Sequence, residues 1–341
     1  MHEKPWEGLM SDEFLLLRHG KSDWSVDCPD ISRPLKKRGQ RDAERIGAWL
    51  WQHECIPTSI ISSPATRAQQ TAHWCARAMG INPQRISLDG RLYMASPATL
   101  LEVLAERLAD APGPASQRPL LVGHNPGMEQ LIEQLSDTPP PYPDDGKLLP
   151  TASLAWFKLL PQQQLPELQQ TELKQLVRAR ELPRAFPFRG MQGLEWRRKP
   201  AFYYQQVATI PYRRADIGME VLLIRSRADK RWTFCQGPLE PGLFAEESAI
   251  QIASEQAGVE GHCHAQPMSQ MDIEKWGASC QIQVFPLQVF TEHAQWPEQY
   301  RQRRWVPIQH AMTELVQHHW LPALQCLQHQ MQQHSRHNHR R

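Results

Sequence analysis

Three short strand-like runs, FLLL at 14–17, SIIS at 59–62 and PLLV at 119–122, each break into a polar turn and then into a helix-patterned segment. Apolar runs without in–out alternation are typical of strands in a parallel sheet covered on both faces. The intervening segments read as helices: KKRGQRDAERIGAWLWQH from Lys36, and ATRAQQTAHWCARAM, which puts Ala68, Ala72, Cys75 and Met79 on one face and stops at Gly80. PATLLEVLAERLAD begins with a proline suited to a first helical turn, MEQLIEQLS follows PLLV, and TASLAWFKLL reads as a last strand. This alternation predicts an α/β fold over residues 12–160, a three-layer α/β/α sandwich with a mainly parallel sheet.

A chain of 341 residues suits two domains, each large enough to bury its own core. The alternation stops at Pro161, and up to Pro200 the chain is rich in Gln, Pro and Arg, so 161–200 is expected to be a linker. Beyond it AFYYQQVATIPYRR, MEVLLIRSR and CQIQVFPLQVF read as strands around a helix-like EESAIQIASEQAG. A second domain of α+β type is expected over 201–328, with a polar, His-rich, disordered tail over 329–341.

With 38 basic and 36 acidic residues, the formal net charge of +2 gives no global reason to expect nucleic acid or a membrane surface as a partner. Any anion site must be local. The seven cysteines (28, 55, 75, 235, 263, 280 and 326) are scattered, with no Cys-x-x-Cys pair, so neither a disulfide framework nor a zinc ribbon is indicated. No segment approaches the roughly 20 apolar residues of a membrane helix, and no signal peptide is recognisable. A soluble, cytoplasmic protein is the expectation.

The chemistry lies at the strand ends. In an open parallel sheet, ligands bind outside the carboxyl ends of the strands. Arg18 and His19 follow FLLL, Arg67 lies early in the helix after SIIS, and His124 follows PLLV. One such residue would pass as a charged turn at a sheet edge, but three segments delivering Arg, His, Arg and His to one edge point to a site. Two guanidiniums can hold phosphoryl oxygens by bidentate, charge-assisted bonds, and an unprotonated imidazole can attack phosphorus. Such a set works by positioning and charge stabilisation, without a metal or other cofactor.

RHGKSDW, RPLKKRG from Arg33, SSPATRAQQTA and LVGHNPGM, in that order, resemble the histidine phosphatase (phosphoglycerate mutase-like) superfamily, and within it the SixA-type phosphohistidine phosphatases. The resemblance implies that His19 is the phosphorylated nucleophile, Arg18 and Arg67 the phosphate clamps, His124 the late histidine of the cage, and Arg33 a substrate-binding residue at the pocket mouth. Relatives often read Tyr-Glu-Ala where this chain has LYMAS, which leaves Met94 in place of a proton-donating acid. That loss would hurt oxygen esters most, because an alkoxide leaves poorly without a proton. Imidazole, with a pKa near that of free histidine, ~6.5, needs less help. Phosphohistidine is therefore the expected substrate, although Asp23 or Asp89 could supply a proton.

The stretch from Gly237 to Val259 resembles a Nudix box, with Gly237, Glu255, Gly258 and Val259 matching. Leu243, Gln251, Ile252 and Gln256 depart from it where the pattern asks for charged residues, mostly carboxylates that hold divalent cations. The expectation is a degenerate, non-catalytic Nudix-like domain that could still bind a nucleotide. The GHCH segment from Gly261 could ligate a metal, but neighbouring strand residues point to opposite faces, so a structural role is favoured. The expected partner is a phosphorylated protein or a small phosphorylated metabolite. Three rival readings stand beside it: a nucleotide-processing hydrolase using both domains, a phosphatase for small phosphate esters, and a non-catalytic phosphate-binding protein.

Overall fold

The structure, a computed structural model, describes residues 13–109, 116–136, 139–140, 142, 146–159, 171–190, 193–215, 218–226, 230–315 and 318–338. The chain divides into two compact units, residues 1–196 and 197–341. No helix among the described residues is long and apolar enough to cross a membrane.

The first unit runs β1 (Glu13–Arg18), α1 (Lys37–Gln52), β2 (Ser59–Ser62), α2 (Thr66–Met79), β3 (Ile86–Leu88), α3 (Pro97–Ala109), β4 (Pro119–Gly123), α4 (Gly127–Leu135), β5 (Ser153–Leu159) and β6 (Thr171–Arg178). These strands form one sheet in the order β3-β2-β4-β1-β5-β6. The first four are mutually parallel, whereas β5 runs antiparallel to β1 and β6 antiparallel to β5. The mainly parallel α/β architecture expected from the alternation is the one observed.

Both faces of the sheet are covered, which explains the continuous apolar runs. Phe14, Leu16, Leu121 and Phe157 pack with Leu100, Val103 and Leu104 of α3 and Met128, Leu131 and Ile132 of α4. Leu15, Leu17, Leu120, Val122 and Leu154 face the other way, onto Ile46 and Leu50 of α1 and the Ala68, Ala72, Cys75 and Met79 face of α2. Alternate residues of each strand thus enter two separate cores, and none can be polar without leaving a buried group unpaired. α2 ends where Gly80 adopts φ 79°, a left-handed conformation that glycine takes without a Cβ penalty.

The segment 161–200 differs from the expected linker. Residues 161–170 lie outside the described residues, but β6 then completes the first sheet, and β7 (Phe186–Gly190) and β8 (Gly193–Arg197) form a two-stranded sheet. β6 escapes notice because it is an edge strand: only Thr171 and Val177 are buried, so its composition stays polar.

The second unit comprises β9 (Gln205–Ala215), β10 (Gly218–Arg225), β11 (Trp232–Thr233), β12 (Cys235–Pro238), α5 (Ala245–Ala257), β13 (Val259–Cys263), β14 (Ser269–Lys275), β15 (Ala278–Glu292), β16 (Arg303–Pro307), α6 (Ile308–Glu314) and α7 (Leu321–Asn338). Its sheet, eight-stranded among the described residues, is built on the parallel pair β9 and β15. Ala208, Ile210, Ile282 and Val284 pack with Ala311 of α6 and Leu324 and Leu327 of α7, while Val207, Phe285 and Leu287 pack with Ala249, Ile252 and Ala253 of α5. α7 continues through Asn338, so most of the tail expected to be disordered is helical; residues 339–341 lie outside the described residues.

Candidate active site

The carboxyl ends of β1, β2 and β4 share one edge of the first sheet, with Arg18 opposite Gly123 and Ser62 opposite Val122. The residues that follow them therefore meet. The His19 amide donates to the Gly123 carbonyl at 3.0 Å, and the His19 carbonyl accepts from Ala152 N–H at 3.1 Å, so the turn after β1 is pinned on both sides. Gly20 N–H donates to Thr71 Oγ1 at 2.9 Å, which ties the turn to α2. Gly39 in α1 packs against the backbone of Lys21 so closely that a Cβ there would overlap the Lys21 carbonyl.

His19 Nδ1 lies 2.8 Å from the Gly20 carbonyl oxygen. A carbonyl only accepts, so Nδ1 carries the proton and Nε2 keeps its lone pair. Burial pushes the His19 pKa down to about 4; the Gly20 bond and Asp30 act against this, while Arg67 and Arg18 reinforce it. His19 is thus a neutral imidazole at neutral pH. The His124 ring lies 5.1 Å from the His19 ring, centroid to centroid. His124 Nε2 is 2.8 Å from Ser63 Oγ, and its Nδ1 is buried without a hydrogen-bond partner. Burial, followed by His19 and Arg67, lowers its pKa to about 3.

The two arginines are held differently. Arg18 Nη1 donates to the Leu149 carbonyl at 2.7 Å, and its Nε is buried without a partner. Burial lowers its pKa, an effect that nearby Glu129 opposes. Arg67, in the first turn of α2, is buried, and its fork is filled by Asp30: Nη1 donates to the Asp30 carbonyl at 2.6 Å and Nη2 to its Oδ2 at 2.8 Å. Tyr93 Oη also donates to Asp30 Oδ2, at 3.0 Å, and the Tyr93 ring stands edge-on to His124 with centroids 5.5 Å apart. Burial alone would raise the Asp30 pKa, but the bonds from Tyr93 and Arg67, with the Arg67 charge, hold it below the usual carboxylate range.

Arg18, His19, Arg67 and His124 are therefore gathered at one sheet edge. Arg33 lies beside the cage, on the far side of Asp30: its side chain is 11% exposed, its guanidinium lies 4.1 Å from the Trp24 ring centroid, and it reaches the Val26 carbonyl at 3.3 Å and Asp30 Oδ1 at 3.6 Å. It braces the loop that carries Asp30. Met94 is 53% exposed and sits at φ 52°, whereas Asp23 accepts from Ser25 and Asp89 from Arg91, both as turn caps. Asp30 and Tyr93 are the site residues that sequence reasoning passed over. Their only signal was position, three residues before Arg33 and one before Met94. Among the described residues, no three His, Cys, Asp or Glu side chains gather as a metal site.

Comparison with known proteins agrees with this geometry. The family model of the histidine phosphatase superfamily (branch 1) matches residues 14–92, which include Arg18, His19, Arg33 and Arg67. An uncharacterized protein of Mycobacterium tuberculosis is 37% identical over 117 residues, 34% of this chain and 66% of the relative. Nudix hydrolase 13, mitochondrial, of Arabidopsis thaliana is 31% identical over 116 residues, 31% of this chain and 57% of that protein. The chain thus spans 66% or less of the length of these curated relatives. Among solved structures, the protein histidine phosphatase SixA complexed with tungstate aligns at 17% identity over 49% of this chain and 97% of that chain, with a TM-score of 0.40. Arg18, His19 and Arg67 lie inside the matched stretch and the sheet brings His124, which lies beyond it, to the same edge, so the N-terminal unit is similar to the histidine phosphatase superfamily (branch 1) in sequence over residues 14–92 and in the placement of these four residues.

Proposed function

We propose that the N-terminal unit is a phosphatase that passes the phosphoryl group through His19. The observation that carries this reading is the His19 tautomer: Nδ1 donates to Gly20, which leaves a neutral Nε2 lone pair between two guanidiniums and a second histidine. Nε2 attacks phosphorus as the bond to the leaving atom breaks, and water then cleaves the phosphorus–nitrogen bond to release orthophosphate and restore His19. Arg18 Nε and His124 Nδ1, both buried and unpartnered, are the atoms that bound phosphoryl oxygens would satisfy. The Arg67 fork supplies the other half of the cage once Asp30 moves aside.

The substrate we favour is phosphohistidine or a related phosphoramidate. Asp30 is the carboxylate beside the cage, and its lowered pKa keeps it ionised at neutral pH, unfit to protonate an alkoxide. A leaving group that departs readily suits this site better. For the second unit we infer a Nudix-like module without hydrolytic activity. Supporting this, Ile252 is buried against the sheet, and Gln256 is bonded to the backbone of Gln236 at both its amide oxygen and nitrogen. These two positions serve packing and strand anchoring. The Arabidopsis Nudix relative gives the rival, nucleotide-hydrolysing reading its support.

Turnover of a phosphohistidine-bearing protein, a sugar phosphate and a dinucleoside polyphosphate separates the two, with wild-type and His19→Ala protein and with and without EDTA. We expect the phosphohistidine protein to be the best substrate, EDTA to change nothing, and His19→Ala to abolish turnover. Dinucleotide hydrolysis that survives His19→Ala and is lost with EDTA would assign the activity to the second unit.

A further inference from the structure

A second concentration of positive charge lies in the first unit, apart from the four residues of the cage. α1 supplies Lys37, Arg38, Arg41 and Arg45, and the segment after β6 supplies Arg180 and Arg184, to one cavity of about 610 Å³. The two walls meet where Arg41 Nη2 donates to the Arg184 carbonyl at 3.3 Å. One carboxylate, Asp42, lines the cavity with them, and it is shared by Arg45 at 3.1 Å and Arg38 at 3.4 Å.

A solvated helix face does not account for this arrangement. Lys37, Arg41 and Arg45 recur at i, i+4 spacing, where like charges repel, and α1 has no acidic residue in its first turn to balance its dipole. Arg45 is withdrawn to 13% exposure, with its Nε buried and unpartnered. Burial lowers its pKa, and Arg41, Arg184 and Arg38 lower it further, against Asp42. Charge gathered in this way from two separate segments is relieved when an anion enters.

The size and chemistry of the cavity indicate which anion. Its volume is that of a small-molecule site. Five of the six cations are arginines, whose planar forks match phosphate oxygens. A phosphate chain carries charge on each successive phosphorus and fits one compact cavity, whereas a peptide spreads its carboxylates along a backbone. The walls also reach toward the catalytic edge, since Ala179 N–H donates to the Ala152 carbonyl at 3.2 Å and Lys36 N–H to the Lys21 carbonyl at 2.8 Å. We propose that the cavity between α1 and the segment after β6 is a second anion site that binds an oligophosphate group.

The test uses sodium tripolyphosphate as probe, titrated calorimetrically into the full chain at fixed ionic strength. Arg67→Ala protein, with its cage broken, should still bind it, and adding Arg41→Ala and Arg184→Ala in that background should weaken binding at least tenfold. Arg41 and Arg184 are both exposed, so the doubly substituted protein should fold, which its circular dichroism checks. With the cage intact, that double variant should hydrolyse a small monoester as the wild type does, and if the phosphatase reading were wrong the calorimetry would still decide the site. Binding lost with Arg67→Ala alone, binding unaffected by the double substitution, or a hexaglutamate peptide that binds in its place would overturn the proposal.

Discussion

Asp30 fills the Arg67 fork with its carboxylate and carbonyl, and on the proposed mechanism it sits where an incoming phosphoryl oxygen has to go. A charged occupant must be displaced before substrate or product can bind. Asp30→Asn keeps the shape but removes the charge, so orthophosphate should inhibit the variant more tightly, by about 1.5- to fivefold, in keeping with the ~0.2–1 kcal/mol of an ion pair screened by solvent on one side, since the Asp30 side chain is 46% exposed. The competitive inhibition constant of orthophosphate is the measurement, and weaker inhibition would mean that Asp30 positions the guanidinium. Residues are legible in sequence where strand geometry alone places them. Arg18 ends a buried strand, His19 and His124 directly follow buried strands, and Arg67 lies in the first turn of the helix that comes after another. Asp30 and Tyr93 come from loops whose paths are set by tertiary contacts, such as Arg33 against Trp24, that no local pattern encodes.

At the scale of elements, the site depends on how closely helices approach the strand ends. α4 opens at Gly127, where a Cβ would overlap the Ala95 carbonyl oxygen, and the next residue, Met128, donates its N–H to the His124 carbonyl at 3.3 Å. Gly127→Ala should therefore destabilise the first unit by roughly 1–3 kcal/mol, the usual range for overpacking, and reduce turnover by shifting His124. Urea denaturation checks it, and an unchanged midpoint would show that the loop before α3 yields at no cost. Elements that bury a full face were readable, as with β1 and α2. Those that bury little were not: β6 lies at a sheet edge, and α7 carries Leu324 and Leu327 into the core but then continues through Gln and His. Gln is a good helix former, so polar composition there did not mean disorder.

Taken as a whole, the molecule joins two units with different balances of evidence. The first gathers Arg18, His19, Arg67 and His124 at one sheet edge, with Met94 where relatives often carry an acid, whereas the second has Ile252 and Gln256 packed and bonded where the Nudix pattern asks for charge. Near-neutral net charge concealed both clusters of cationic side chains, because a sum over 38 basic and 36 acidic residues says nothing about clustering. The central claim is that phosphate passes through His19. Rapid quenching of the full chain during turnover, followed by phosphopeptide mapping under conditions that preserve phosphohistidine, tests it directly. Acid-labile phosphate on His19, absent from His19→Ala protein, is the predicted result. Steady turnover with no phosphate on His19, or with the label on another residue, would contradict it.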